Sequence, residues 1–211
     1  MRNVNSFSAG IRKWQRRLQD AFVVLCPAQL EERAAKFAAL FEPYLPRESD
    51  ILDIGGGWGF YAEPLAKAGH RVTVLDVVKP GFQKAPVVIY EGKSIPFPDK
   101  SFDASLLVTV LHHMNHVESV IQEAHRITRK NLIVVEDLYH HKLGRWWTEL
   151  RDRLYNFEFW GHPCQFKTRE EWISLFGKYG FSLVKQKNVY TWLAGMRILS
   201  GLFVFQLEDN A

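Results

Sequence analysis

A glycine-rich turn between an apolar run and a helical pattern is the feature that most constrains how this chain folds. The glycines come directly after the largely apolar run Ile51–Ile54. Together with the last two residues of that run, the motif reads Asp53-Ile54-Gly55-Gly56-Gly57-Trp58-Gly59. Glycine tolerates positive φ and lets the backbone approach a ligand closely, and the free amides at a helix start suit a carboxylate or phosphate. The turn therefore predicts a ligand-binding loop at the carboxyl end of a buried strand.

Strand-like and helix-like patterns alternate on both sides of this loop. We expect strands at Ile51–Ile54, Arg71–Val77, Val87–Tyr90, Phe102–Val108, Leu132–Asp137, Phe181–Val189 and Ile198–Leu207. We expect helices at Ile11–Leu25, Gln29–Leu40, Phe60–Ala68 and His116–Arg129, and one from the capping box at Thr168 and Glu171 through Lys178. No helix-length segment separates the last two strands, so they should pair antiparallel. This order predicts the α/β class, with a Rossmann-like, doubly wound and mostly parallel sheet of seven strands and a closing antiparallel strand.

The 211 residues suit a single domain spanning 1–211. Within it we expect N-terminal helices at 1–48, a binding core at 49–137, a helical insertion at 138–167, and a helix with a strand pair at 168–211. The insertion is rich in Trp, Tyr and Phe, which is untypical of a disordered linker. It therefore belongs to the folded part of the chain.

The charge and the cysteines exclude several classes of protein. The net charge of +4 favours an anionic substrate, a nucleic acid or an acidic membrane surface without selecting among them. Cys26 and Cys164 are far apart and lack metal-ligand spacing, and His140, His141 and His162 form no metal motif. We expect no disulfide framework and no metal. No apolar run resembles a signal-peptide core or a membrane-spanning helix, so we expect a cytoplasmic protein.

The spacing of the glycines selects among the nucleotide-binding families. A dinucleotide-binding turn carries G-x-G-x-x-G, whereas Phe60 stands at the place of the third glycine. The order Asp53-x-Gly55-x-Gly57-x-Gly59 resembles motif I of class I S-adenosylmethionine-dependent methyltransferases, and the resemblance extends from about Ser49 to Leu207. It implies the class I methyltransferase fold, S-adenosyl-L-methionine as cofactor and S-adenosyl-L-homocysteine as product.

The resemblance also implies roles for residues of the loop and the second strand. Gly55, Gly57 and Gly59 would wrap the methionine part of the cofactor, and Asp53 would receive its α-ammonium directly or through water. Asp76, at the end of the second strand, would accept both ribose hydroxyls. Each acid has a plainer alternative, because Asp53 could cap the turn and Asp76 could be a turn residue.

A second segment resembles the pattern D-A-x-x-L-P-F of small-molecule methyltransferases. It reads Glu91-Gly92-Lys93-Ser94-Ile95-Pro96-Phe97, with Glu91 where the family usually has Asp. The Glu91 carboxylate or the Gly92 amide would contact the adenine edge. The alternative is that Glu91 is a solvated loop residue.

The segment Thr109–Met114 resembles the family's V-L-H-H segment, which borders the methyl-transfer centre. Thr109 would contact the cofactor. We expect His113, or else His112, to accept a substrate proton, because imidazole is a suitable base near neutral pH. Each histidine could instead be structural. Glu136 or Asp137 is a further candidate base, and Trp58 or Tyr61 could face the positive sulfur or simply pack.

Three functions remain in view at this point. The first is transfer of a methyl group to a small, apolar or aromatic acceptor, as in the quinone-biosynthesis and natural-product branch resembling the methyltransferase type 11 family. The aromatic insertion and the N-terminal helices would then form a substrate lid, although the aromatics could also just cover the sheet. The alternatives are an RNA methyltransferase and a non-catalytic regulator that contacts a membrane through the basic helix Ile11–Leu25. The absence of an RNA-binding module disfavours nucleic acid, and the oligomeric state is left open.

Overall fold

The computed structural model describes residues 14, 15, 17–139, 141–157 and 163–207. Its strands are β1 (Asp50–Ile54), β2 (Arg71–Asp76), β3 (Val87–Ile89), β4 (Phe102–Val108), β5 (Thr128–Asp137), β6 (Phe181–Leu193) and β7 (Met196–Leu207). Its helices are α1 (17–25), α2 (Pro27–Phe41), α3 (Ala62–Lys67), α4 (Val117–Ile127), α5 (Lys142–Asn156) and α6 (Arg169–Gly177). Residues 14 and 15, just before α1, are also helical.

All seven strands form a single sheet in the order β3-β2-β1-β4-β5-β7-β6. The first five strands pair in parallel, and β7 pairs antiparallel with both β5 and β6. The predicted α/β class and the closing antiparallel strand are confirmed. The chain order reverses between β1 and β4, so a crevice opens there at the carboxyl ends of the strands, where ligands bind in open α/β sheets.

Helices cover both faces of the sheet, as parallel strands require. Successive residues of β1 point to opposite faces, so Ile51 packs in the core layer with Phe37 and Phe41 of α2, whereas Leu52 packs in the layer of α4 and α6. Asp53 follows the alternation and is buried on the Ile51 side. A carboxylate therefore stands in the core directly below the glycine loop.

The predicted boundary between α4 and β5 is wrong. The helix was expected to run through Arg129, but the strand already begins at Thr128, which pairs with Phe102 across an irregularity in β4. The buried Thr128 hydroxyl lies 2.7 Å from the Ser105 hydroxyl, so the two polar groups satisfy each other inside the sheet. This long-range pairing, rather than the local helical pattern, sets the boundary.

The closing strand pair is longer than predicted. Strand β6 reaches Leu193 and β7 starts at Met196, so the hairpin loop consists of Ala194 and Gly195. Both loop residues have positive φ, 44° and 77°, which matches the twist of a two-residue hairpin.

The predicted capping box of α6 is confirmed. The Glu171 amide donates to Thr168 Oγ1 at 3.3 Å, and the Thr168 amide donates to Glu171 Oε2 at 2.6 Å.

Helices α1 and α5 lie together outside the sheet. Gln19 Nε2 of α1 donates to the Asn156 carbonyl at 2.7 Å, and the rings of Phe22 and Tyr155 are 5.8 Å apart. Within the predicted insertion, α5 confirms a helix, whereas His140, residues 158–162 and the N-terminal part of the helix predicted at Ile11–Leu25 lie outside the described residues. Across the residues that are described, no helix has both the length and the apolar character needed to cross a membrane.

Candidate active site

The glycine loop is bent so tightly that larger residues would not fit. Gly55 has φ +71°, and a Cβ there would lie 2.3 Å from Val110 Cγ2. A Cβ on Gly56 would lie 2.4 Å from the Asp53 carboxylate. The amides of Gly55 and Gly56 both donate to the Leu75 carbonyl, at 2.7 and 3.3 Å. The loop is thus tied to β2 and passes directly over Asp53.

Asp53 is a buried carboxylate that has no hydrogen-bond partner within the described part of the chain. It is 1% exposed, and neither of its oxygens accepts a hydrogen bond from the described part of the chain. Burial raises the pKa of Asp53 to about 7, and the nearby charge of Asp76 adds to the rise. An uncompensated buried acid is costly, so this position favours a cationic ligand group.

Asp76 ends β2 on the other side of the loop. Its Oδ2 accepts from the Gly57 amide and its Oδ1 from the Val78 amide, both at 2.9 Å. The carboxylate is therefore held in place by backbone amides at the mouth of the crevice. The orientation of the Asp76 carboxylate depends on the loop, because the Gly57 amide holds it. The same loop passes over Asp53, so it contacts both predicted cofactor acids.

Two adjoining cavities occupy the crevice. The cavity at the glycine loop has a volume of about 370 Å³ and is lined by residues that include Asp53, Asp76 and Tyr90. The second, of about 170 Å³, lies towards α1 and α5. Both are lined by Trp58, Phe60, Thr109 and His113, together with Gln19, Leu30, Arg33 and Asn156. We call the first the loop cavity and the second the outer cavity.

Thr109 stands where the two cavities meet. Its φ of 50° is uncommon for a β-branched residue, and its amide donates to the Val135 carbonyl at 2.6 Å. Such strained residues concentrate at functional sites. The position predicted to contact the cofactor is thus at the junction between the cavities.

Three other predicted cofactor residues lie at the edge of this arrangement. Gly59 is buried, and a Cβ there would come within 3.2 Å of the Ala85 backbone, so its small size serves packing of the loop. Glu91 and Gly92 are exposed and follow Tyr90, which lines the loop cavity. The structure therefore brings Asp53, the loop, Asp76 and Thr109 together and leaves Glu91 and Gly92 outside the lining.

His112 is clamped between two carboxylates. Its Nδ1 lies 2.5 Å from Glu136 Oε2 and its Nε2 lies 3.4 Å from Asp152 Oδ1, and its ring stacks on Phe166. Burial disfavours the charged ring, but Glu136 and Asp152 together outweigh that effect and raise the pKa of His112 well above 6.5. Both ring nitrogens thus face carboxylate oxygens, which favours the protonated ring, and a protonated imidazole has no lone pair with which to accept a proton.

His113 faces both cavities. Its Nε2 lies 3.9 Å from Asp152 Oδ1, and its ring centre is 4.1 Å from that of His112. Donor atoms of His112, His113 and Asp152 lie within 4.8 Å of one another, close enough to hold a metal ion. The ion pairs of His112 account for this proximity without a metal.

Glu136 and Asp137, the other candidate bases, are both engaged in ionic contacts. Glu136 Oε1 accepts from the amides of Val110 and Leu111 at 3.0 and 2.8 Å, so it also positions the start of the histidine segment. Asp137 accepts from Arg151 at 2.5 Å and from the Ser200 hydroxyl at 3.0 Å. His141 accepts a hydrogen bond from the Gly144 amide at the start of α5.

The contacts that join α1 and α2 to the rest of the crevice carry no signal in the sequence. Arg33 of α2 donates to Thr191 Oγ1 and to the Tyr61 hydroxyl, both at 3.4 Å, and lines both cavities. Trp58 of the loop donates to Asp20 of α1 at 2.8 Å, which fastens α1 over the crevice. These contacts join segments far apart in the chain, and no local pattern announces them.

Comparison with known proteins agrees with this geometry. Residues 52–135 match the family described as a methyltransferase domain. The matched segment contains the glycine loop, Asp76 and the histidine segment. This chain has the class I methyltransferase fold. The matched segment therefore runs from β1 to β5 and includes loops that line the loop cavity.

Two curated relatives illustrate the sequence similarity. Demethylmenaquinone methyltransferase of Tropheryma whipplei (strain Twist) is 30% identical over 99 residues, which are 41% of each chain. Ubiquinone biosynthesis O-methyltransferase of Pelagibacter ubique is 28% identical over 94 residues, or 40% of this chain and 39% of the relative. The similarity thus spans about two fifths of these relatives.

Solved structures share the fold over more of the chain. The 1,6-didemethyltoxoflavin-N1-methyltransferase of Burkholderia thailandensis, in complex with 1,6-didemethyltoxoflavin and S-adenosylhomocysteine, has a TM-score of 0.66 at 17% identity, covering 94% of this chain and 90% of that chain. A SAM-dependent methyltransferase from Methanosarcina mazei has a TM-score of 0.61 at 21% identity, covering 80% and 98%. The fold similarity therefore extends beyond the matched domain.

Proposed function

We propose that the protein is an S-adenosylmethionine-dependent methyltransferase that transfers a methyl group to a small, apolar or aromatic molecule. The observation that carries the proposal is Asp53, a buried carboxylate below the glycine loop whose oxygens lack a hydrogen-bond partner among the described residues. A ligand with an ammonium group would compensate that charge. The relatives named for quinone methylation support an apolar acceptor.

The residues of the loop cavity fit this cofactor. Asp53 would bind the α-ammonium, the bent backbone of Gly55 and Gly57 would accommodate the aminoacyl chain, and Asp76 would accept the ribose hydroxyls. Tyr90 lines the same cavity next to Glu91 and Gly92, which we keep as candidates for the adenine edge. When bound, the cofactor supplies an activated methyl group on a good leaving group.

The chain then has to orient the acceptor, exclude water and take up a proton where the acceptor atom carries one. We assign the last role to His113, because it lines both cavities. Its neighbour His112 is a poorer base, because Glu136 and Asp152 engage both ring nitrogens and favour the protonated form. We therefore give His112 a positioning role, in which the Glu136 contacts keep the His113 segment in place at the junction.

The outer cavity suits a small acceptor better than a polynucleotide. Its walls include Phe22 and Val23 of α1, Tyr155 of α5, and Leu193 and Ile198 of the hairpin. Together with the charged side chains of Asp137, Arg151 and Asp152, they surround a volume of about 170 Å³, which is small and partly enclosed by α1 and α5. This closure by α1 and α5 supports the predicted substrate lid and disfavours RNA and a purely regulatory role. The cytoplasmic location remains a prediction.

A methyl-transfer screen tests the proposal. The protein would be incubated with S-adenosylmethionine carrying a labelled methyl group and separate panels of hydroxylated aromatic and quinone-type compounds, with structured RNA as a third panel. We expect label in a compound of the first two panels and none in RNA. Label in RNA alone would replace the small-molecule proposal by the nucleic-acid one. Tight cofactor binding with no transfer to any panel would favour the regulator.

A further inference from the structure

Helix α5 has its polar and apolar faces reversed relative to an ordinary surface helix. Its buried residues are Thr148, Arg151 and Asp152, all of them polar. Four of its large apolar residues are exposed, whereas Leu150 is half-buried: Leu143 is exposed by 70%, Trp146 by 58%, Trp147 by 49% and Leu154 by 45%. Globular proteins rarely leave such a group in water without a partner for it.

These four residues form one continuous surface. At 100° per residue, positions 143, 146, 147 and 154 fall within an arc of about 100°, the width of an ordinary apolar helix face. We call Leu143, Trp146, Trp147 and Leu154 the α5 stripe. The stripe thus has the shape of an apolar face that packs against a partner, although no described residue covers it.

The buried ion pairs fix the direction in which the stripe points. Arg151 is held by Asp137 at 2.5 Å, and Asp152 lies 3.4 Å from the His112 ring. Rotating α5 to bury its tryptophans would break both contacts and leave buried charges without compensation, which costs several kcal/mol. The stripe therefore stays at the surface because the opposite face of the same helix belongs to the site.

The charges beside the stripe are mostly positive. At 100° per residue, Lys142, which is exposed, and Arg153, which is half-buried, flank the Trp146 edge of the stripe, and the acid on that side, Glu149, is engaged by Arg145 at 2.7 Å. Tryptophan combines an apolar ring with an N–H donor and is enriched where membranes meet water. Exposed tryptophans flanked by basic residues are typical of helices that lie in a membrane surface.

We propose that the α5 stripe docks on the surface of an anionic lipid bilayer, with Trp146 and Trp147 at the headgroup level. A second copy of the chain fits less well. Large aromatic side chains bury roughly 150–250 Å² each, so this half-exposed stripe offers on the order of 400 Å², against about 800 Å² per partner in a standard interface. A bilayer needs no matching protein surface, and its negative charge complements Lys142 and Arg153 at the edge of the stripe.

Docking in this way would bring the outer cavity close to the lipid. Tyr155 and Asp152 line that cavity from the same helix that carries the stripe. The stripe and these cavity residues lie on opposite faces of α5, so the helix would stand between the lipid and the cavity, a separation of about 10 Å, one helix diameter. The docking itself does not depend on methyl transfer and is measured without it.

Vesicle flotation of the full chain tests the proposal. The vesicles contain phosphatidylcholine with phosphatidylglycerol, and pure phosphatidylcholine serves for comparison. We expect the wild type to float with the anionic vesicles and the double variant Trp146→Gln, Trp147→Gln to lose roughly tenfold or more in partitioning. The matched control is Trp192→Gln, which replaces a tryptophan that is 64% exposed on β6 and should leave partitioning unchanged.

Two further measurements check that the variants are folded and that the tryptophans enter the lipid. The variants are compared by circular dichroism, and wild-type tryptophan emission should shift to shorter wavelength on adding anionic vesicles. Absence of flotation by the wild type, or equal flotation of the double variant, would overturn the proposal. So would dimerisation in sedimentation velocity that the double variant abolishes without any binding of wild type to vesicles.

Discussion

The loop cavity and the outer cavity are built by different means, although they share a wall. The loop cavity is made by β1, β2 and the short connection after β4, and its acids stand next to the motifs that identify it. The outer cavity is closed by α1, α5 and the β6–β7 hairpin, which meet only in three dimensions. The difference teaches that the proposed cofactor site is specified largely by local sequence, whereas the proposed acceptor site depends on tertiary contacts between distant segments.

The largest effect is expected where the two cavities meet. His113→Gln removes the proposed base, so kcat should fall roughly 10²- to 10⁴-fold for an acceptor that must lose a proton. Cofactor affinity should stay within about twofold. The matched control His116→Gln changes an exposed histidine three residues away and should retain full activity. A His113→Gln enzyme with wild-type kcat would remove His113 from the chemistry.

Asp53→Asn tests the cofactor side of the comparison. Losing a charge-assisted contact should weaken S-adenosylmethionine binding roughly 10- to 100-fold in calorimetry. The acceptor's KM should hardly change. Asp50→Asn, on the same strand but paired with Arg71 outside the crevice, is the control. Unchanged cofactor affinity in Asp53→Asn would contradict the proposed ammonium site.

The same carboxylate should govern how stability depends on pH. Because the pKa of Asp53 is raised to about 7 from 3.8, the ligand-free protein should lose stability as the pH rises from about 4 to 7. The loss is on the order of 4 kcal/mol for a fully buried group, at about 1.4 kcal/mol per pH unit. Asp53→Asn should flatten this slope in denaturant titrations. A steep slope that persists in the variant would assign the dependence to other groups.

Asp76→Ala gives the next effect in size. Loss of the ribose contact should weaken cofactor affinity about tenfold, with the fold intact by circular dichroism. Asp99→Ala removes an exposed acid that pairs with Arg126 outside the cavities and serves as the control. Equal affinities for Asp76→Ala and wild type would mean that the ribose lies elsewhere.

The smallest effect tests the outer cavity alone. Tyr155 lines only that cavity, so Tyr155→Leu should raise the acceptor's KM several-fold, about 1 kcal/mol, and leave cofactor affinity unchanged. Tyr190→Leu changes a tyrosine on β6 that lines neither cavity and should behave as wild type. Weaker cofactor affinity in Tyr155→Leu would contradict the assignment of cofactor and acceptor to separate cavities.

The same division explains what could be predicted from the sequence. The succession of strands along the chain, the glycine loop and Asp76 follow from apolar patterns and short spacings, and the structure places the predicted strands in one sheet. Asp53 is buried and has no hydrogen-bond partner among the described residues. Neither property can be predicted from the residue types alone. The histidine pair was predicted, but the unequal surroundings of His112 and His113 were not, because Asp152 reaches them from α5.

The orientation of α5 could not be predicted for a physical reason. An amphipathic pattern predicts that the apolar face packs inward. In α5, Arg151 and Asp152 face inward because they bind Asp137 and His112, which come from β5 and the segment after β4. The start of β5 at Thr128 is a similar case, since its pairing with Phe102 and Ser105 overrides the helical pattern.

The central claim is that the loop cavity binds S-adenosylmethionine through Asp53. Isothermal titration of the wild type with S-adenosylmethionine and S-adenosylhomocysteine, with NAD as the control ligand, tests it most directly. Near pH 7, in buffers of different ionisation enthalpy, we expect both sulfur ligands to bind with release of part of a proton, because the ligand's ammonium lowers the raised pKa of Asp53. NAD should give no heat. Binding of NAD with silence from both sulfur ligands would contradict the account.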